Sequence, residues 1–339
     1  MTIAMIMSKD RLEQEHAMLN RLVVGLLDDG NQVIRIVPKS ETDEFLYDEH
    51  TVSFSKRVEV SLPVSRMLRK KRQEKTAELF RKDDVTKVVS YGRDATQLAL
   101  DVSKVLNVQV MTEVISMKDA NRVKKNTPVW RWLAATPSIE RALASRIGED
   151  RVALVPLGIT NHHSKKMKTN DTNRCVVVLD SLGDIKNTRD ILVALQQQPN
   201  IHIFLEMVGK KNQSIWKQLN QLEMHDRVTC LRDVGTLRNL IIQSDYVFLP
   251  SKTMPIRTVL LEAMLCGIPV LAANILGFDM LIDQESACIV QDSWDASISR
   301  LFEDPSFANR IGTAGSELVR QKYGSAVQIA AFEAAFTLI

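Results

Sequence analysis

The sequence predicts an α/β protein built from two doubly wound domains. Three observations carry this. Short apolar segments of strand length alternate with longer segments of helical period along almost the whole chain. A polar stretch, Asn161-His-His-Ser-Lys-Lys-Met-Lys-Thr-Asn-Asp-Thr-Asn-Arg174, interrupts the alternation near the middle and reads as a linker. The length of 339 residues fits two domains of roughly 150 residues each.

Composition narrows the class further. An apolar fraction of 45% and a charged fraction of 25% are ordinary for a globular chain, and one this long buries about 75% of its unfolded surface without staples. Disordered, collagen-like and coiled-coil architectures are excluded. The 44 Lys+Arg against 41 Asp+Glu leave a net +3, too small a basic excess for a dedicated nucleic-acid binder. Cys175, Cys230, Cys266 and Cys288 form no Cys-x-x-Cys pair, so neither a zinc site nor a disulfide framework is indicated. The apolar start, Met1-Thr-Ile-Ala-Met-Ile-Met7, lacks a basic flank and a cleavage site and reads as a buried strand. No apolar run approaches the roughly 20 residues of a transmembrane helix. The expected location is the cytoplasm.

The elements follow in order. Residues 3–7 form a strand. Residues 11–29 have helical period, with Leu12, Leu19, Leu22, Val23, Leu26 and Leu27 on one side, and Gly30 stops the helix. Residues 32–37 are the next strand, closed by Pro38. Strand, helix and strand make a βαβ unit with a right-handed crossover. Strands at 87–90, 108–114, 133–135 and 152–156 and a helix at 95–106 continue the pattern. Thr136-Pro137 opens another helix, with Thr as N-cap and Pro pre-organised at N1. After the linker, strands fall at 175–179, 202–208, 228–231, 246–249, 269–272 and 287–290. Helices fall at 188–197, 215–222, 237–243 and 258–266, and the tail from Trp294 is helical. Ligands in such sheets bind at the carboxyl ends of the strands, so the cleft between the halves is the expected site.

The most informative stretch runs from Tyr246 to Ala272. A strand ends at Pro250-Ser251, a loop follows, and a helix carries Glu262 before Gly267 stops it. The sequence Leu261-Glu-Ala-Met-Leu-Cys-Gly-Ile-Pro-Val270 resembles the signature of GT-B glycosyltransferases of the retaining group-1 (family 4) type. Leu154-Val-Pro-Leu-Gly-Ile159, Met207-Val-Gly209 and His225-Asp-Arg-Val-Thr229 are similar to further sequences of that family. The resemblance implies two Rossmann-like domains with an interdomain cleft. It assigns residues 1–159 to an acceptor-side domain, 160–174 to the linker and 175–322 to a nucleotide-sugar-side domain. Residues 323–339 form a C-terminal helix that crosses back to the first.

By the resemblance, Glu262 grips the ribose of a nucleotide sugar, and Lys186, Ser181, Met254, Arg257 and Gly209 share the donor site. The departures are as specific as the matches. The family's other loop Glu, eight positions before Glu262, is Met254, whose thioether cannot accept hydrogen bonds as a carboxylate does. The loop glycines are Pro255 and Arg257. In the Arg-x-x-x-x-Lys pair that neutralises the diphosphate, Lys186 is kept and Ser181 stands for the Arg, with Asp180 and Asp184 close by. The Gly-Gly loop of the first domain falls at Glu13-Gln14, and the catalytic-site His at Ile115, with Glu113 a candidate stand-in two residues away.

Each residue also has a plain structural role open to it. Glu262 reads as an exposed helical Glu, Lys186 as a solvated turn lysine, Glu113 as a strand-end residue, and Asp180 and Asp184 as turn formers around Gly183. His162-His163 lack metal-ligand geometry. Arg66-Met-Leu-Arg-Lys-Lys-Arg72 is a basic helix face, solvated or meeting an anionic membrane. Trp130-Arg-Trp132 is a sugar-stacking platform or cleft-edge packing. Two functions stay open. One is transfer of a sugar from a nucleotide-sugar donor to a glycan or lipid-linked acceptor, with no metal and no nucleic acid. There the resemblance implies that cationic side chains and a helix N-terminus stabilise the leaving diphosphate. The other is a catalytically inactive GT-B protein that binds a ligand or partner.

Overall fold

The computed structural model describes residues 1–39, 54–62, 66–160, 174–207, 213–232 and 234–337. The expected linker, including His162-His163, falls largely outside them, and so does Gly209. The chain divides into two compact units: Met1–Gly158 with Ser325–Ile339, and Ile159–Gly324.

The first unit begins with β1 (Thr2–Met7), α1 (Lys9–Asp28), β2 (Gln32–Pro38) and β3 (Lys56–Val60). It continues with α2 (Arg66–Lys82), β4 (Lys87–Tyr91), α3 (Arg93–Ser103), β5 (Gln109–Val114) and α4 (Met117–Ala120). β6 (Arg131–Ala134), α5 (Pro137–Ile147) and β7 (Val152–Leu154) follow. The strands form one parallel sheet in the order β3-β2-β1-β4-β5-β6-β7. Helices cover both faces of such a sheet, which is why its central strands read as unbroken apolar runs. Ile3, Ala4, Met5 and Ile6 are fully buried. Gly30 takes φ +76° just past α1. Thr136 caps α5 by accepting from the Ile139 N–H, with Pro137 in the first turn.

The second unit holds β8 (Arg174–Val178), α6 (Ile185–Gln196), β9 (Ile201–Glu206), α7 (Gln213–Leu222), β10 (Val228–Leu231) and α8 (Val234–Ile241). It continues with β11 (Tyr246–Leu249), α9 (Thr258–Leu265), β12 (Val270–Ala272), β13 (Cys288–Ile289), α10 (Trp294–Glu303) and α11 (Pro305–Lys322). Its strands are parallel in the order β10-β9-β8-β11-β12-β13. The direction of winding reverses between β1 and β4 in the first sheet and between β8 and β11 in the second, the places where such sheets hold ligands.

The last helix, α12 (Ser325–Thr337), packs on α1 in the first unit. Its final carbonyls are capped by cations from two strand starts. Arg131 Nη1 donates to the Ala335 carbonyl at 2.6 Å, and Lys87 Nζ to the Phe336 carbonyl at 2.8 Å. This satisfies groups a helix end leaves without partners, with the charge sign the helix dipole favours. The Trp130 ring lies 5.0 Å from the Lys87 ammonium and 4.5 Å from the Arg131 guanidinium. Trp132 is buried in β6. These two rings sit at or near the amino edge of the sheet as packing residues, which overturns the sugar-platform reading.

Arg131 also explains why β6 starts earlier than its apolar residues suggest: a charged strand residue is tolerated because its guanidinium reaches a helix end. Strand β3, which the apolar pattern does not reveal, is a half-exposed edge strand of sequence Lys-Arg-Val-Glu-Val. Among the described residues no helix is long and apolar enough to cross a membrane.

Replacing Arg131 by Met removes a charge-assisted bond from a buried carbonyl, at a cost of about 2 kcal/mol. Calorimetry is expected to show Tm lower by about 4–8 °C. A shift below about 1 °C would mean that the C-terminal helix is held without this clamp.

Candidate functional site

In the second unit the candidate residues converge on the carboxyl edge around β8, β9 and β11. β9 ends in Glu206, a carboxylate whose side chain is 4% exposed. A charge that deep needs a partner. Arg257, immediately before α9 and 5% exposed, supplies it: Nη1 donates to Glu206 Oε1 at 2.6 Å. The other carboxylate oxygen accepts the Asp180 N–H at 2.8 Å. The Ser181 hydroxyl donates to the Glu206 carbonyl, and the Ser181 carbonyl accepts from the Thr188 hydroxyl at 2.6 Å. Ser181 is therefore buried and turned into the fold.

The loop from β8 to α6 is wound tightly. Asp180 has a left-handed φ of +49°. A Cβ at Gly183 would lie 2.1 Å from Asp180 Oδ2 and 2.6 Å from Ser251 Oγ, so any side chain there would displace both. Asp184 is the N-cap of α6: its carboxylate accepts the Asn187 N–H at 3.0 Å and the Asn187 amide at 3.1 Å. The sequence reading of Asp184 as a turn former thus becomes a helix cap, which is also why α6 begins at Ile185. The same amide donates to the Pro250 carbonyl at 2.8 Å, tying α6 to the end of β11.

Met254 is buried, as are Ile256 and Arg257. Glu262 lies in the second turn of α9 and is buried, which removes its reading as an exposed helical Glu. Arg238 of α8 donates Nη1 to Glu262 Oε1 and Nη2 to the Thr258 hydroxyl at 2.7 Å. Lys186 is exposed and stands 3.4 Å from Asp190. It lines a groove of ≈ 580 Å³ with Asn187, Asp190, Lys252 and Asn274. None of Ser181, Met254, Arg257 or Glu262 lines that groove. The structure thus joins Ser181 and Arg257 through Glu206, holds Glu262 on Arg238, and sets Lys186 apart on the surface.

The first unit repeats this chemistry. Arg11, in the first turn of α1, donates Nη2 to Glu113 Oε1 at 2.9 Å, lies 2.8 Å from Oε2, and stands 3.6 Å from Glu15. Glu113 is in β5 and Tyr91 ends β4, so the group lies near the winding reversal of that sheet. Burial pushes the Glu113 carboxyl above its ordinary 4.5; Arg11 opposes the rise and Glu15 adds to it. Burial also pushes the Tyr91 hydroxyl well up, assisted by Glu113. The buried residues Glu206, Arg11 and Glu15 and the half-buried Arg238 are not singled out by the sequence. A charged residue inside an apolar strand or helix face is the signal that points to the first three.

In the basic helix α2, Arg69 Nε donates to Asp101 Oδ2 at 2.6 Å, and Arg72 lies 3.5 Å from the same carboxylate. Two of the cluster's cations are therefore tied to α3, while Lys70 and Lys71 face outward. The side chain of Arg66 lies outside the described set. Among the described residues no group of three or more His, Cys, Asp or Glu is placed to hold a metal ion.

A folded state that holds the Glu113 proton more tightly than the unfolded chain has stability that is fully present below pH 4.5 and is lost as pH rises through the folded value. Glu113→Gln removes that titration. Urea unfolding between about pH 4.5 and about pH 8 is expected to show wild type losing stability relative to the variant as pH rises. Parallel curves would contradict it.

Residues 160–318 match the family of glycosyl transferases group 1. The N-acetyl-alpha-D-glucosaminyl L-malate synthase of Bacillus anthracis is 23% identical over 50% of this chain and 46% of its own length. The lipopolysaccharide core biosynthesis glycosyltransferase LpsD of Rhizobium meliloti is 23% identical over 41% of this chain and 42% of its own. The matched region therefore spans less than half the length of either curated relative. HepE of Anabaena, solved in complex with UDP-glucose, superposes with a TM-score of 0.81 at 14% identity, covering 100% of both chains. The second unit thus matches the glycosyl transferases group 1 in sequence over residues 160–318, and the whole chain shares the GT-B fold of HepE.

Proposed function

We propose that the chain transfers a sugar from a nucleotide-sugar donor to a glycan or lipid-linked acceptor, with the donor held by the second unit. The observation that carries this reading is Glu262. It is a buried carboxylate held by Arg238 in the second turn of α9, within the stretch that matches the family. The start of α9 follows the carboxyl end of β11, where helix N–H groups favour a phosphate. On this reading the chain needs no metal. Lys186 remains a candidate for the diphosphate only if its exposed side chain turns from Asp190. We place the protein in the cytoplasm, with Lys70 and Lys71 as the charges that would meet an anionic membrane surface.

A second reading, a catalytically inactive binding protein, is favoured by a specific observation. Arg257 and Met254, which replace a glycine and a glutamate of the family's loop, are both buried, and Arg257 is committed to Glu206. Nη1 is held on Glu206, and Nε and Nη2 are buried, so in this arrangement the guanidinium does not face a donor from solvent.

A nucleoside diphosphate separates these readings from neither being right. At about 100 times its Kd, a ligand stabilises by about 2.7 kcal/mol. Uridine, guanosine and adenosine diphosphates at millimolar concentration are to be screened by thermal shift. At least one is expected to raise Tm by about 5–10 °C, and Glu262→Ala is expected to abolish the rise. No rise with any of them counts against a donor site. A rise without sugar transfer or donor hydrolysis selects the inactive reading.

A further inference from the structure

Glu262 is a flexible side chain on a helix, yet a carboxylate that recognises two adjacent hydroxyls must be held in one rotamer. Two features of the structure supply that constraint. The guanidinium of Arg238 is planar and its fork spans two residues of α9, Glu262 through Nη1 and Thr258 through Nη2. Thr258 and Glu262 are four positions apart and so lie one above the other on one face of the helix. The bond from Arg238 falls on Oε1, and among the described residues Oε2 has no hydrogen-bond partner. The Glu262 side chain is 8% exposed and that of Arg238 is 21% exposed, so the pair lies at the edge of the interior.

We infer that Arg238 is a positioning residue for nucleotide recognition: with Thr258 it fixes Glu262 so that Oε2 accepts the ribose hydroxyls of a nucleoside diphosphate. The inference rests on the donor-site reading above and adds the residue that makes Glu262 selective for ribose. Arg238 itself does not touch the nucleotide. Its guanidinium pairs with Glu262 near the interior, and its fork geometry, which a lysine lacks, sets the direction of the Glu262 carboxyl group.

The test measures ribose selectivity, which a purely structural role would not alter. Calorimetric titration compares the tightest-binding of the uridine, guanosine and adenosine diphosphates with its 2′-deoxy counterpart. Wild type is expected to prefer the ribonucleotide. Arg238→Lys keeps a cation beside Glu262 and is expected to weaken the ribonucleotide about tenfold, to leave the deoxynucleotide unchanged, and so to erase the preference. Thr258→Val removes one arm of the clamp without touching the ion pair and is expected to reduce the preference partway. Melting temperatures of both variants show that they are folded. If both variants keep the full preference, the role of Arg238 is overturned while the donor site stands. If wild type binds the two nucleotides equally, Glu262 does not read the ribose and the inference falls with that assignment. If wild type binds none of the diphosphates, the donor-site reading itself fails.

Discussion

Glu206 ends a strand whose neighbours are apolar, and its carboxylate is removed from water. Leaving it unpaired would cost several kcal/mol. Arg257 meets that requirement from one side and the Asp180 N–H from the other. The consequences spread beyond the pair. Because the guanidinium comes from the residue before α9, the loop after β11 is drawn onto the end of β9. Because Asp180 must donate its N–H, the loop after β8 takes a left-handed turn and closes over Gly183. One buried charge thus sets the path of two loops at the carboxyl edge of the sheet.

Similar logic recurs at three places. Arg11 serves Glu113 and Glu15 in the first unit, Arg257 serves Glu206, and Arg238 serves Glu262. In each, an arginine in a helix or just before one meets a buried carboxylate. The forked guanidinium suits this because it donates in several directions from one rigid plane. Buried pairs of this kind are weak evidence for stability, since apolar replacements often do as well. Their position argues for a role in shaping the binding edge. A site lined by carboxylates already matched to arginines offers less free positive charge to a diphosphate than the family pattern implies. The balance between Arg257 held on Glu206 and a donor in place is what decides between the two functional readings.

Much of the fold was legible because parallel strands buried on both faces write themselves as continuous apolar runs, as at Ile3 to Met7 and Tyr246 to Leu249. Helix punctuation was equally local: Gly30 and Thr136-Pro137 act within a few residues of themselves. What escaped was non-local. Arg257 and Glu206 are 51 residues apart, Arg11 and Glu113 are 102 apart, and Arg131 and Ala335 are 204 apart. No period or spacing announces such pairs. The edge strand β3 escaped for a different reason: half-exposed, it carries charge where a central strand carries valine or isoleucine. At the candidate site, the motif pointed to Glu262 but could not reveal Arg238, which comes from a separate helix. It named Lys186 without showing that the side chain lies on the surface by Asp190.

A crystal structure of the protein grown with the tightest-binding of the uridine, guanosine and adenosine diphosphates tests the central claim most directly, because it reads the ion pairs and the nucleotide together. The account predicts the ribose hydroxyls on Glu262 Oε2, the Arg238 fork still on Oε1 and Thr258, and the diphosphate at the start of α9. A diphosphate bound away from α9, or Arg238 displaced from Glu262 to contact the nucleotide, would contradict it.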